Sequence, residues 1–129
     1  MATISRFEDL EIWQKARVLT KRVFILSKKE KFAQDFRFRS QILSSSGSIM
    51  DNIAEGFERG GNNEFKQFLS IAKGSAGETR SQIYRAFDFE YISENDFEEL
   101  VPEYENLSGK IKNFMTYLQN SEIKGIKFK

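Results

Sequence analysis

The chain has 129 residues, of which 40% are hydrophobic and 30% are charged, and its formal net charge at pH 7 is +1. This size and composition are typical of one globular domain with its own core, so we expect a single domain over residues 1–129. The chain has no cysteine and no histidine, which excludes disulfides, the usual nucleophilic catalytic sets and the common zinc sites.

The first predicted helix covers about residues 6–29. Ser5 and Glu8 have the spacing of a capping box, in which a hydroxyl and a carboxylate bond backbone N–H groups at a helix start. One apolar stripe follows at steps of four and three and predicts the face toward the core: Ile12, Ala16, Leu19, Val23 and Leu26. A second apolar cluster lies well round the helix and predicts an interface between subunits: Leu10, Trp13 and Phe24.

The second and third predicted helices cover about residues 35–59 and 63–90. Gly60 is placed to end the second helix, since glycine takes the left-handed conformation that closes many helices. Asn62 or Asn63 can cap the third helix. The connection between the two helices is therefore only a few residues long.

Small residues are concentrated in both of these helices, at 44–48 and 72–77, at similar distances from the connecting turn. If the helices fold back there, the two runs face one another and let the axes approach more closely than the usual separation of about 8–10 Å. A phosphate-binding loop is a weaker interpretation, because the order Lys-Gly-Ser at 73–75 is not the Gly-Lys-Ser/Thr that such a loop needs. A catalytic serine is weaker too, because only lysines are available as bases.

The fourth predicted helix covers about residues 94–119. Ser93 and Asp96 offer a second capping-box spacing at its start. Pro102 falls inside it, where a proline costs about 3 kcal/mol, so we expect either a kink or a helix that begins again near that residue. Residues 120–129 are basic with spaced apolar positions and are expected to form a loose tail.

With such short connections, consecutive helices must run in opposite directions, and the predicted fold is an all-α, antiparallel up-down-up-down four-helix bundle. The first ten residues carry acidic side chains where a signal peptide has an apolar segment, and no run approaches 18 consecutive apolar residues. We therefore expect a cytoplasmic protein that does not enter the membrane.

Charge is distributed unevenly along the chain. Residues 88–106 include eight acidic and no basic side chains, and basic residues are in excess on either side. One interpretation is that acidic and basic helix faces are solvated or pair with one another. The other is that the acidic segment meets a basic surface of another subunit or partner.

Five segments occur in order along the chain: FEDLEIWQKA, SQI, SGSIMDNIAEGFERG, EFKQFLSIAKGS and YISENDFEEL. In these, over about residues 7–118, the chain resembles the four-helix-bundle protein family, also called the 23S rRNA intervening-sequence proteins. The most specific positions are Asn52, Ile53, Ala54, Glu55 and Gly56, whereas Met50 stands where the family pattern commonly has a proline. The resemblance implies a small helical bundle that assembles into a ring-like homopentamer, with no established catalytic residues.

Three functions are compatible with the sequence. The first is a non-enzymatic oligomeric interaction module associated with RNA, with phosphate contacts from five basic residues: Arg17, Lys21, Lys28, Arg37 and Arg39. The second is a protein adaptor that binds no nucleic acid and takes an unidentified partner. The third is a metal-dependent hydrolase built on Asn52, Glu55, Glu78 and Gln82. Hydrogen bonds that fix helix register are a commoner use of such polar groups, so we expect no enzyme, no cofactor and no metal site.

Overall fold

Five α-helices and one 3-10 helix make up the described part of this computed structural model, which covers residues 4–124 for the backbone and 4–121 for the side chains. In chain order they are the 3-10 helix Phe7–Asp9, α1 Glu11–Ser27, α2 Glu30–Gln34, α3 Phe36–Glu58, α4 Asn62–Asp88 and α5 Glu94–Lys124. No strand occurs among these residues, and the predicted all-α class is confirmed. No helix within this range is long and apolar enough to cross a lipid bilayer.

The first α-helix begins later than predicted, at Glu11, and the capping box is absent. Glu8 belongs to the 3-10 helix, and its carboxylate pairs with Arg6 at 3.3 Å. Leu10 precedes α1 in an extended conformation with no side-chain cap. Its side chain is 2% exposed, so this bend inserts Leu10 into the core.

The short helix α2 lies between the first two predicted helices, where the sequence predicted no helix. Its five residues are too few to show a helical period. Phe32 anchors it, because this side chain is 1% exposed and its ring centroid lies 5.6 Å from that of Phe38 and 5.4 Å from that of Tyr91. The helix therefore covers the core beside the start of α3.

Two hydrogen bonds to Asp35 fix the start of α3. The Phe38 backbone N–H donates to Asp35 Oδ1 at 3.1 Å, and the Tyr91 hydroxyl donates to Asp35 Oδ2 at 2.6 Å. The bond from Tyr91, followed by the one from Phe38, holds the pKa of the Asp35 carboxyl below its usual value, and the same contact raises the pKa of Tyr91. The connection between α4 and α5 is thereby joined to α3.

The turn between α3 and α4 agrees with the prediction only in part. Gly60 has the expected left-handed conformation, with φ of 84°. The predicted caps Asn62 and Asn63 are wrong, because Gly61 precedes the helix without a side-chain cap and Asn62 is its first residue. The Asn62 amide instead donates to the Leu118 carbonyl oxygen at 3.4 Å, which links the turn to α5.

Helix α5 begins as predicted, with the Asp96 N–H donating to Ser93 Oγ at 3.0 Å. It continues through Pro102, so a helix that begins again at this residue is ruled out. The predicted loose tail is wrong for residues 120–124, which are helical, and residues 125–129 lie outside the described range.

Helix α4 is central to the packing, because it lies against both α3 and α5, while α1 packs mainly on α3 and more lightly on α5. Their apolar faces enclose one core that includes fully buried residues from all of the long helices. Among the most enclosed side chains are Ile42, Ile49, Ile53, Leu69, Ile83, Leu100, Leu107, Ile111 and Leu118.

The predicted contact between the small-residue runs is confirmed. Ser48 Oγ lies 3.1 Å from Ser75 Oγ, Thr79 Oγ1 donates to Ser45 Oγ at 2.9 Å, and Ala76 is fully buried. The glycines of these runs, however, have open space where a Cβ would lie: Gly47, Gly74 and Gly77. The helices therefore do not need glycine at these positions in order to pack.

Gly56 is the position where the approach of α3 to α4 leaves no room for a side chain. A Cβ there would lie 2.6 Å from Phe68 Cβ and 2.9 Å from Phe65 Cδ1. The Phe68 Cβ is attached directly to the α4 backbone, so it cannot move aside without shifting the helix. This contact explains the glycine at the end of the segment Asn52–Gly56.

We expect Gly56→Ala to lower the free energy of unfolding by about 1–3 kcal/mol, because the added methyl overpacks the contact between α3 and α4. Gly47→Ala on the same helix is the matched control, and it should be neutral or should stabilise by up to about 1 kcal/mol through helix propensity. Urea unfolding of both variants checks this. Equal stability of the two would contradict the packing explanation.

We expect Tyr91→Phe to destabilise the protein at pH 7, since the Asp35 carboxylate loses one of its two donors and keeps only the Phe38 N–H. Because the pKa of folded Asp35 is depressed, its contribution is present above the unfolded pKa of about 3.9 and is lost as the pH falls through the folded pKa. The deficit of the variant should therefore shrink toward pH 2. Unfolding measured from pH 7 to pH 2 with Tyr84→Phe as control tests this, and a deficit independent of pH would contradict it.

Candidate nucleic-acid interface

Ion pairs cover the side of α1 that faces α5. Lys15 Nζ contacts Glu103 Oε1 at 2.5 Å, and Arg22 pairs with Glu99 and, at 3.8 Å, with Asp96. Lys110 on α5 pairs with Glu11 on α1 at 2.5 Å. A further ion pair joins α4 to α5, between Arg80 and Glu105 at 3.4 Å. Half of the acidic residues in segment 88–106 are thus paired within the chain: Asp96, Glu99, Glu103 and Glu105.

The outward face of α1 has a different composition. Two aromatic and three basic residues follow one another along it at steps of four or three, which places them on one helical face. Together with Arg39 of α3 we call them the cation–aromatic stripe: Trp13, Arg17, Lys21, Phe24, Lys28 and Arg39. Three predicted RNA contacts, Arg17, Lys21 and Lys28, therefore share one helical face. Two residues predicted to lie between subunits, Trp13 and Phe24, are on the same face.

The third predicted interface residue, Leu10, is not on this surface. It is 2% exposed and belongs to the core, so its assignment to an interface between subunits is wrong. The apolar spacing could not separate it from Trp13, because the chain bends just before α1 begins. Phe24 is 42% exposed and Trp13 is partly buried, so both remain candidates.

Cations contact both aromatic rings of the stripe. Arg17 Cζ lies 5.7 Å from the Trp13 ring centroid, and Lys28 Nζ lies 5.2 Å from the Phe24 centroid. Arg39 Cζ lies 6.0 Å from the Phe24 centroid, and its Nε donates to the Ser27 carbonyl oxygen at 3.0 Å. The bond to Ser27 holds Arg39 of α3 against the end of α1.

The cations of the stripe have no acidic partner among the side chains that the structure describes. Among the side chains of residues 4–121, no carboxylate lies within 4.0 Å of any of the predicted contact residues: Arg17, Lys21, Lys28, Arg37 and Arg39. Arg37 is exposed in the first turn of α3. Basic side chains that are unpaired within the chain are available to bind an anion.

The polar residues proposed for a hydrolase do not converge on one site. Asn52 donates to the Ser48 carbonyl oxygen at 2.8 Å, and Glu55 pairs with Arg59 at 3.0 Å. Gln82 bonds to Ser45 in the core, and its contact with Glu78 measures 3.4 Å. Within the described residues no group of three or more acidic side chains could hold a metal ion. The remaining positions of the specific segment pack in or beside the core: Ile53, Ala54 and Gly56.

Two of the surface depressions among the described residues bear on the site. The larger, of about 710 Å³, lies at one end of the molecule and mixes lysines with carboxylates, including Glu30 and Glu90, whose φ values of 42° and 62° are left-handed. The smaller, of about 380 Å³, lies between α3 and α4 and is lined by Ser40, Gln41, Ser44, Glu78, Gln82 and Arg85. Sequence reasoning singled out Glu78 and Gln82 but missed Arg85, although its spacing of seven from Glu78 indicates a shared helical face.

The fold and these surfaces can be compared with known proteins. The family model for the 23S rRNA-intervening sequence protein matches residues 8–113, so the chain belongs to that family. Among solved structures it is similar to a protein of unknown function from the S23 ribosomal protein family of Bacteroides thetaiotaomicron VPI-5482. The two share 22% sequence identity and a TM-score of 0.73 over 81% of this chain and 97% of the other, which supports the fold. No curated protein matches the sequence.

Proposed function

We propose that this protein is a non-enzymatic, oligomeric helical-bundle module that binds RNA through the cation–aromatic stripe. One observation carries the proposal. Cations on the α5-facing side of α1 are paired with carboxylates. Those of the stripe have no carboxylate within 4.0 Å among the described side chains, and aromatic rings lie between them. A merely solvated helix face does not require aromatic rings between its charges.

The chemistry of the stripe fits a nucleic-acid strand. Basic side chains that contact phosphates release counterions, and this supplies most of the sequence-independent affinity. Aromatic side chains add stacking with bases, worth about 1–3 kcal/mol per base. From Trp13 to Lys28 the stripe runs about 22 Å along α1, at a rise of about 1.5 Å per residue, which is long enough for several nucleotides.

The proposed arrangement is the antiparallel up-down-up-down four-helix bundle, formed by α1, α3, α4 and α5. Contacts between α3 and α4 support it, because positions later in α3 meet positions earlier in α4. Ser45 contacts Thr79, Ser48 contacts Ser75, and the space beside Gly56 is filled by Phe65 and Phe68. Neighbouring helices that run in opposite directions give such an order.

The proposed assembly is a homopentamer in the cytoplasm, as the family resemblance and the composition imply. Exposed apolar side chains on α1 and α4 support contacts between subunits: Val18 at 65%, Ile25 at 48% and Ile71 at 52%. Copies of the stripe repeated around a ring would bind one RNA at several points, so weak contacts in each subunit would add up to a useful affinity.

A protein adaptor that binds no nucleic acid is the second candidate. Phe36, which is 78% exposed in the first turn of α3, is the observation that favours it. The acidic segment 88–106 supports the adaptor function less than the sequence suggested, because half of its carboxylates are paired within the chain. Glu99 already pairs with Arg22 within the chain, so its carboxylate is not free to bind a partner.

We expect Lys21→Gln/Lys28→Gln to lower the affinity for single-stranded RNA at least about tenfold at low salt. The slope of log affinity against log salt should fall by about 0.7 for each lost phosphate contact. The control variant Lys73→Gln/Lys112→Gln also removes two positive charges, but from lysines outside the stripe. These two lysines likewise have no carboxylate within 4.0 Å among the described side chains. The control should retain most of the affinity for RNA. Fluorescence anisotropy measures both, and equal losses in the two variants would contradict a role for the stripe.

A further inference from the structure

The smaller depression between α3 and α4 has a lining made only of polar residues. Ser40, Gln41 and Ser44 come from the first half of α3, and the other three residues come from the second half of α4. A volume of about 380 Å³ is within the range of small-molecule sites. Such a depression offers hydrogen bonds and little apolar surface to an occupant.

A carboxylate and a guanidinium that have no ion-pair partner among the described side chains line this depression. Glu78 and Arg85 are seven residues apart on α4, and neither lies within 4.0 Å of an opposite charge among the described side chains. Arg85 is held in place by Phe38, whose ring centroid is 4.9 Å from Arg85 Cζ. Asp35 acts on Arg85 only at longer range, where the cation makes a minor contribution to the lowered pKa of Asp35.

The Gln82 side chain is the buried part of the lining and has a fixed orientation. It is 4% exposed, and its Oε1 accepts a hydrogen bond from Ser45 Oγ at 2.5 Å, which Thr79 supports from the core side. Its Nε2 has only a long contact of 3.4 Å with Glu78 Oε2. The Gln82 amide oxygen is therefore occupied, whereas its NH2 group can still donate a hydrogen bond on the side of Glu78.

We propose that this depression binds a guanine base, and the inference rests on the proposed RNA-binding function. Guanine presents two donors, N1–H and N2–H, on one edge, which match the two oxygens of Glu78. On its other edge it presents two acceptors, O6 and N7, which match the planar donor fork of Arg85. Adenine presents a donor beside N7 and cannot satisfy the same pair of groups.

The base must come from an unpaired strand, because the donors of guanine are occupied in a duplex. The position of the depression suits a strand bound on the stripe. Arg39 belongs to the stripe, and the next two residues, Ser40 and Gln41, line the depression. Because Arg39, Ser40 and Gln41 belong to one turn of α3 and the latter two are exposed, a strand held by Arg39 can cross the exposed face of this helix to reach the depression.

Fluorescence anisotropy with labelled 12-nucleotide oligoadenylate probes tests this inference. One probe carries a single central guanine, and two further probes carry inosine, which lacks the N2 amino group, or 7-deazaguanine, which lacks N7. We expect the guanine probe to bind about tenfold more tightly than oligoadenylate and each analogue to lose most of that gain. Equal affinity for the guanine and adenine probes would overturn the inference.

Variants assign the two contacts. Glu78→Gln should abolish the preference of guanine over inosine, Arg85→Lys should abolish that of guanine over 7-deazaguanine, and both should leave binding of oligoadenylate unchanged. Glu58→Gln, an exposed carboxylate elsewhere on α3, is the control and should keep every preference. A preference that survives in both site variants would overturn the assignment.

The inference and the proposed function can fail separately. If oligoadenylate binds in a stripe-dependent way without any guanine preference, the base site is wrong and the RNA-binding stripe stands. If no oligonucleotide binds but guanosine monophosphate does, and Glu78→Gln abolishes that binding, the guanine site stands and the RNA-binding function is wrong.

Discussion

The rest of the structure depends on the close contact between α3 and α4. At one end, Gly56 lets the α3 backbone approach Phe65 and Phe68, and further along, buried hydroxyl and amide groups bond across the interface. A hydrogen-bonded polar network between packed helices fixes their register, because a shift leaves its members unsatisfied. That register places Gln82 behind the depression, and it sets α3 so that Arg39 reaches the end of α1.

Charge pairing then separates the two sides of α1. Carboxylates of α5 bind Lys15 and Arg22, and these exposed pairs add little stability individually. Their larger effect is on the surface, because they neutralise the α5-facing side of α1 and leave the opposite side basic. A chain whose formal net charge is +1 thereby has, among its described residues, one helix face on which basic side chains lack ion-pair partners.

Helical periodicity predicted the all-α class and the four long helices, because their apolar stripes extend over several turns. It failed where a few residues decide the conformation. The bend at Leu10, the short helix around Phe32 and the uncapped start of α4 depend on tertiary packing that no local pattern encodes. The basic residues of the stripe were predictable from spacing, whereas their lack of partners and the position of Arg85 over Phe38 required the packed structure.

The most direct test of the central claim, that the cation–aromatic stripe binds RNA in an oligomer, is native mass spectrometry of the protein purified from its own cells without nuclease treatment. We expect an assembly of five subunits that carries additional mass, which ribonuclease removes. An assembly of the same size without RNA would contradict the RNA-binding function. A bare monomer would contradict both the function and the assembly.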